Sequence, residues 1–178
     1  MNVCKSLKMI CLTFALAILT GCDSNEFNAG KVAGILQSGP VHLDAEYVIL
    51  TPEQVECGVK NELWEAPTGG SGRSLARLTD KGRSLNFSDD VSIGDMKFPY
   101  VQVRGDFTLA ALDVHADRAG PEKDTKLVDV KLGVPISNNC FPRPLVMMGL
   151  RKGAFVQDGV PTLLFRLNNT WSFDRIMH

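Results

Sequence analysis

The chain has 178 residues, 44% of them hydrophobic and 22% charged, with 20 acidic against 19 basic side chains. A high apolar fraction with a net charge of only -1 excludes disorder. The 16 glycines and 9 prolines show no period, which excludes a collagen-like chain. A sequence pI near 6.3 offers no bulk attraction to phosphate, so nucleic acid is not an expected partner.

The amino-terminal stretch carries Lys5 and Lys8 and no acidic residue before Asp23. From Met9 to Thr20 it reads MICLTFALAILT, uncharged throughout. As a helix this run spans roughly 18 Å, short of the ~30 Å hydrocarbon core, so it reads as an export signal and not as a membrane span. Its ending, Leu19-Thr20-Gly21-Cys22, resembles the lipobox of bacterial lipoprotein precursors at all four positions. The resemblance implies cleavage between Gly21 and Cys22, a diacylglyceryl group on the Cys22 thiol and acylation of the new amino terminus. Each buried methylene contributes about 0.8 kcal/mol, so two or three such chains anchor permanently. Asp23 is similar to the residue that keeps enteric-type lipoproteins in the inner membrane, which favours that membrane over the outer one.

Residues 1–21 are therefore expected to be a leader, 22–30 (ending DSNEFNAG) a polar tether, and 31–178 one globular domain. Removing the leader discards Cys4 and Cys11 and leaves Cys57 and Cys140 beside the anchor. In an oxidising envelope, two remaining thiols most simply pair. A bridge there closes a loop on the order of 80 residues, which the loop-entropy model values at about 4–5 kcal/mol.

Taken in chain order, Tyr47 to Leu50 is a short apolar run suited to a strand. Thr51-Pro52-Glu53-Gln54 is a helix start, with a capping threonine, proline at the first helical position and glutamine completing a capping box. Val55, Val59 and Leu63 follow at spacing four, giving a helix through about Glu65, weakened modestly by Gly58. Ser74 to Leu85 reads as a second helix with Gly82 as its weak point. If it is continuous, Arg73, Arg77 and Lys81 form a positive stripe. The second half reads as strands: Pro99 to Arg104, the alternation of Val128, Val130 and Leu132, a hairpin of Leu145 to Leu150 with Ala154 to Val156 about Arg151-Lys152-Gly153, and a second of Thr162 to Leu167 with Thr170 to Met177 about Asn168-Asn169. The fold class expected is α+β, an antiparallel sheet mainly from the C-terminal half with one or two N-terminal helices packed on one face.

No GxSxG, HExxH, phosphate loop, GxGxxG or EF-hand sequence is present, and no cofactor or metal is expected. The one group suggestive of acid–base or metal chemistry is Asp113-Val114-His115-Ala116-Asp117. On a regular strand Asp113, His115 and Asp117 stand in one row, with Leu112, Val114 and Ala116 facing the core. The wet side of an amphipathic strand explains the same pattern. Arg104-Gly105-Asp106 lies between apolar runs, where its glycine suggests a bulge or tight turn. Trp171 and Phe173 share a face of the last strand and read as core.

The expectation is thus a lipid-anchored, periplasm-facing lipoprotein that acts by binding an envelope or periplasmic protein, as an inhibitor, an immunity-type neutraliser or an assembly accessory. It is not read as an enzyme. The alternatives are a small-molecule or lipid carrier, which needs an apolar cavity, and an enzyme built around His115.

Overall fold

The computed structural model describes residues 27–66, 74–93, 99–151, 154–156 and 159–177. The expected leader, Cys22 and Asp23 lie outside them. The folded body starts earlier than the tether reading allowed. Phe27 is only 4% exposed and packs on Phe165 and Trp171, with ring centroids 4.9 and 5.2 Å away. Asn28 caps helix α1 (Ala29–Leu36), its side chain accepting from Lys31 N–H at 2.9 Å, and Val32 and Leu36, one turn apart, are buried. The polar composition of the segment conceals one aromatic anchor and one cap.

Strand β1 (Val41–Ile49) begins six residues before the apolar run that announced it. Val41 and Leu43 point inward; then the pairing slips between Leu43 and Glu46, and the inward set becomes Glu46 and Val48. This bulge changes the parity of the buried positions, so period-two reading catches only the second half.

Helix α2 (Pro52–Lys60) has the expected capping box: Gln54 N–H donates to Thr51 Oγ1 at 3.3 Å and Thr51 N–H to Gln54 Oε1 at 2.8 Å. It stops at Lys60 and not near Glu65, because Glu62 adopts a left-handed conformation (φ 58°) and Leu63 N–H returns to Gly58 C=O at 2.8 Å. Leu63 is still buried, reached by a turn and not by the helix.

The second helix expected over Ser74 to Leu85 is absent. Strand β2 (Ser74–Ala76) is followed by an isolated bridge between Leu78 and Trp64, then by the single turn α3 (Asp80–Arg83), capped by Thr79 Oγ1 accepting from Gly82 N–H at 3.2 Å. Ala76 and Leu78 are buried while Leu75 and Arg77 are exposed, a strand-like period too short to outweigh the helical spacing of the leucines. Arg77 and Lys81 therefore share no helix, and the positive stripe does not form; Arg73 lies outside the described residues.

The remaining elements are β3 (Val91–Ile93), β4 (Tyr100–Phe107), β5 (Ala110–Ala119), β6 (Thr125–Val134), β7 (Leu145–Met147), β8 (Gly149–Arg151), β9 (Ala154–Val156), β10 (Thr162–Asn168) and β11 (Thr170–Met177). The described chain is mostly antiparallel sheet with few helices. The main sheet runs β11-β10-β6-β7-β1-β4-β3-β2, with β5 also paired to β6. β6 thus serves three neighbours. Its first half pairs with β10 and its last two residues with β7, while β5 pairs along nearly its whole length. The first half of the chain contributes more to the sheet than expected, since β1 lies between β7 and β4.

Leu145 to Leu150 is not one strand. β7 pairs with β6 and β1, the chain breaks at Met148, and only β8 pairs with β9; the expected turn residues Lys152 and Gly153 lie outside the described residues. The β10–β11 hairpin forms as expected, with Asn169 left-handed at φ 66°. Val128, Val130 and Leu132 are fully buried and join Val101, Val103, Leu163 and Phe165 in one core with Val32 and Leu36 of α1.

Candidate functional site

Asp113, His115 and Asp117 all lie on β5, but not in one row. Pairing with β6 slips between Ala111 and Asp113 and again between Val114 and Ala116, leaving Leu112 and His115 without register partners. Two bulges convert period two into period three. Ala111, Val114 and Asp117 lie opposite Leu132, Val130 and Val128 and share their inward side. Asp117 accepts from Phe27 N–H at 3.0 Å and from Lys126 Nζ at 3.5 Å, its side chain 21% exposed, so it fastens the start of the folded body to the sheet. Asp113 accepts from Val114 N–H at 2.9 Å and stands 3.7 Å from His115 Nε2 on the solvent side. The row therefore divides into one structural carboxylate and one exposed pair. Leu112, expected in the core, is 41% exposed, and Ala116 is exposed too. Among the described residues no three His, Cys, Asp or Glu side chains are grouped so as to hold a metal ion.

The sulfurs of Cys57 on α2 and Cys140 in the loop after β6 are 2.18 Å apart, at disulfide distance, with Cα atoms 5.5 Å apart across 83 positions of sequence. Asn61 Nδ2 donates to Cys57 C=O at 2.9 Å and lies 3.4 Å from both sulfurs. Beside the pair, Trp64, Phe87 and Phe141 pack with centroids 5.6 to 6.3 Å apart. This joint ties α2 to the loop between β6 and β7.

A second histidine cluster had no local signal in the sequence. His42 faces Asp106 across β1 and β4, its Nδ1 donating to Asp106 Oδ1 at 2.8 Å, with Asp44 3.7 Å from Nε2. Arg104 Nε donates to Asp44 C=O at 2.6 Å. Arg104-Gly105-Asp106 is thus mid-strand, with Gly105 at φ 117° opposite the β1 irregularity, and its side chains are engaged locally. Trp171 and Phe173 are half-buried against Phe27 and Phe165, in keeping with their reading as core.

One surface combines apolar area with charge. A cleft of about 490 Å³ is lined by Leu112, Asp113, Lys131, Arg143, Pro144 and Val146. It lies on the outer side of β5, β6 and β7. Gly133 lies beneath two of its walls, since a Cβ there would stand 2.7 Å from Pro144 Cβ and 3.2 and 3.3 Å from the two Leu112 methyls. Register places Asp113 opposite Lys131 and Val146 opposite Gly133. Lys131 and Asp113 therefore mark one end of the cleft and Arg143, two positions before Leu145, the other. Lys131 and Arg143 are exposed and enter no ion pair or side-chain hydrogen bond among the described residues.

Glu53 and Arg166, neither of which lines this cleft, are displaced from their ordinary values. The Glu53 carboxyl is held below its ordinary value by a backbone N–H and by the Thr51 hydroxyl at the start of α2. The Arg166 guanidinium is raised by its hydrogen bond and charge pairing with Glu122, 2.9 Å away, and less by Asp174. Among the described residues no helix is long and apolar enough to cross a membrane. No family model, curated protein or solved structure matches this chain.

Proposed function

We propose that this chain is a lipoprotein of the bacterial cell envelope, anchored through acylated Cys22, facing the periplasm and acting by binding a protein partner. The observation that carries the reading is Leu19-Thr20-Gly21-Cys22 after a charged start and a short apolar run. Asp23 favours the inner membrane over the outer one. In this reading Cys57 and Cys140 are bridged, which suits an oxidising compartment, and α1 and α2 form a helical layer on one face of the sheet, completing an α+β domain. Because Phe27 is already part of the folded body, four residues separate it from the anchor, and the extended chain spans at most about 18 Å between them. A domain held that close meets membrane-adjacent proteins at a high effective concentration. The reaction-free reading also suits the β5 carboxylates, one of which holds the chain start while the other is solvated.

The experiment is affinity capture of the detergent-solubilised lipoprotein from envelope extracts at low salt, followed by mass spectrometry. One envelope or periplasmic protein recovered in near-stoichiometric amount is expected. Recovery of lipid or a small metabolite without any specific protein would replace the binding role by that of a carrier.

A further inference from the structure

We propose that the cleft between Leu112, Pro144 and Val146 docks an internal segment of a partner polypeptide that carries a branched apolar side chain next to an acidic one. The proposal rests on the protein-binding reading and adds where and by what chemistry the partner is held.

The cleft is assembled from features that the fold alone does not require. A bulge in β5 leaves Leu112 without a register partner and delivers it to the outer surface, 41% exposed. Bulges that re-aim a side chain are a recurrent device at binding surfaces. Gly133 allows Leu112 and Pro144 to close over β6, and Val146 completes an apolar floor. A leucine-sized side chain seated there displaces water from all three. Charge selects its neighbour. Lys131 and Arg143 stand at opposite ends with no ion pair among the described residues, while Asp113 accompanies only the Lys131 end. The Arg143 end is thus a cation in search of an anion, and a guanidinium prefers a carboxylate, which it can meet with two parallel hydrogen bonds. The cleft is an open trough whose cations, Lys131 and Arg143, are side chains at its two ends, so a passing chain with an acidic side chain fits it.

The test is a titration of the isotopically labelled full chain in detergent, followed by amide chemical shifts. The probes are acetyl-Glu-Leu-Glu-amide, its uncharged counterpart acetyl-Gln-Leu-Gln-amide, and N-acetyl-leucine. The acidic tripeptide is expected to shift Leu112, Lys131, Gly133 and Val146 saturably and to bind about fivefold more tightly than the uncharged one, the scale of one well-formed rim ion pair, at Arg143. Arg143→Gln with Lys131→Gln should bring that ratio to about one, and Leu112→Ser should weaken both tripeptides; all three positions are exposed, and unchanged amide shifts elsewhere verify the fold. Lys123→Glu, on an exposed turn, should change nothing. Equal binding of the two tripeptides, shifts centred elsewhere, or a preference for N-acetyl-leucine would each overturn the proposal. Failure of the capture experiment removes the protein-binding role without altering this titration, so the two failures are separable.

Discussion

Gly58 lies within helix α2, where a glycine costs about 1 kcal/mol relative to alanine. On helix propensity alone, Gly58→Ala should stabilise the protein by that amount. The packing reverses the sign. A Cβ at position 58 would fall 2.0, 2.2 and 2.5 Å from three atoms of the Trp64 indole. That ring is 1% exposed, its Nε1 donates to Val55 C=O at 3.0 Å, and it packs on Phe87 and Phe141. The indole is a rigid plate against the helix and has no flexible end to yield. Overpacking costs about 1–3 kcal/mol, and displacing the indole from the Val55 carbonyl adds about 1 kcal/mol or more. After the propensity gain, the expected net loss is about 1–3 kcal/mol. Urea unfolding of the unreduced protein, followed by circular dichroism, reads this as a lower midpoint at an unchanged slope. The decisive arm repeats the substitution in a Trp64→Leu background, where the clash is gone and Gly58→Ala should become neutral or stabilising. A stabilising Gly58→Ala in the parent protein would show that Trp64 does not lie on this helix face.

Three further outcomes follow from local geometry. Asp117→Ala should cost about 1–2 kcal/mol, since it leaves the Phe27 N–H without its acceptor, whereas Asp113→Ala should stay within about 0.5 kcal/mol; equal costs in urea unfolding would restore the single row of carboxylates. Glu53 has a folded-state value below its unfolded one, so its contribution is present above the unfolded value and disappears as pH falls through the folded one; the stability difference between the parent and Glu53→Gln should therefore be larger at pH 7 than at pH 3, and a difference that grew on acidification would contradict the capping geometry. Thiol counting on the denatured, unreduced mature chain should find neither Cys57 nor Cys140 free, and Cys57→Ser with Cys140→Ser should lose about 2–4 kcal/mol; two reactive thiols would remove the bridge.

Legibility in the sequence tracked the regularity of the backbone. β6 was readable from Val128, Val130 and Leu132 because its buried residues alternate over that stretch, and the capping box at Thr51 was readable because it is local. The β10–β11 hairpin was legible for the same reason: Asn169 marks its turn. β1 was half legible and β5 misassigned through one physical cause. A bulge adds a residue and flips the parity on which period-two reading depends, which is how Leu112 came to be placed inside and the β5 carboxylates in one row. Residues 74–85 failed differently: two buried positions, Ala76 and Leu78, make too short an alternation to compete with leucines at helical intervals. The cleft left no local signal, since Leu112, Gly133 and Pro144 are brought together only by strand register. Gly58 reads as a weak point in the sequence and proves to be a place where a large side chain lies on the backbone.

The proposed compartment and the proposed anchor both depend on lipid attachment at one thiol. Metabolic labelling with a clickable palmitate analogue, applied to the natural chain and to Cys22→Ser and read by gel shift and membrane fractionation, addresses that attachment. The natural chain should carry the label and sediment with the inner membrane, while Cys22→Ser should retain its leader and lose the label. An unlabelled natural chain, or undiminished labelling of Cys22→Ser, would contradict the account.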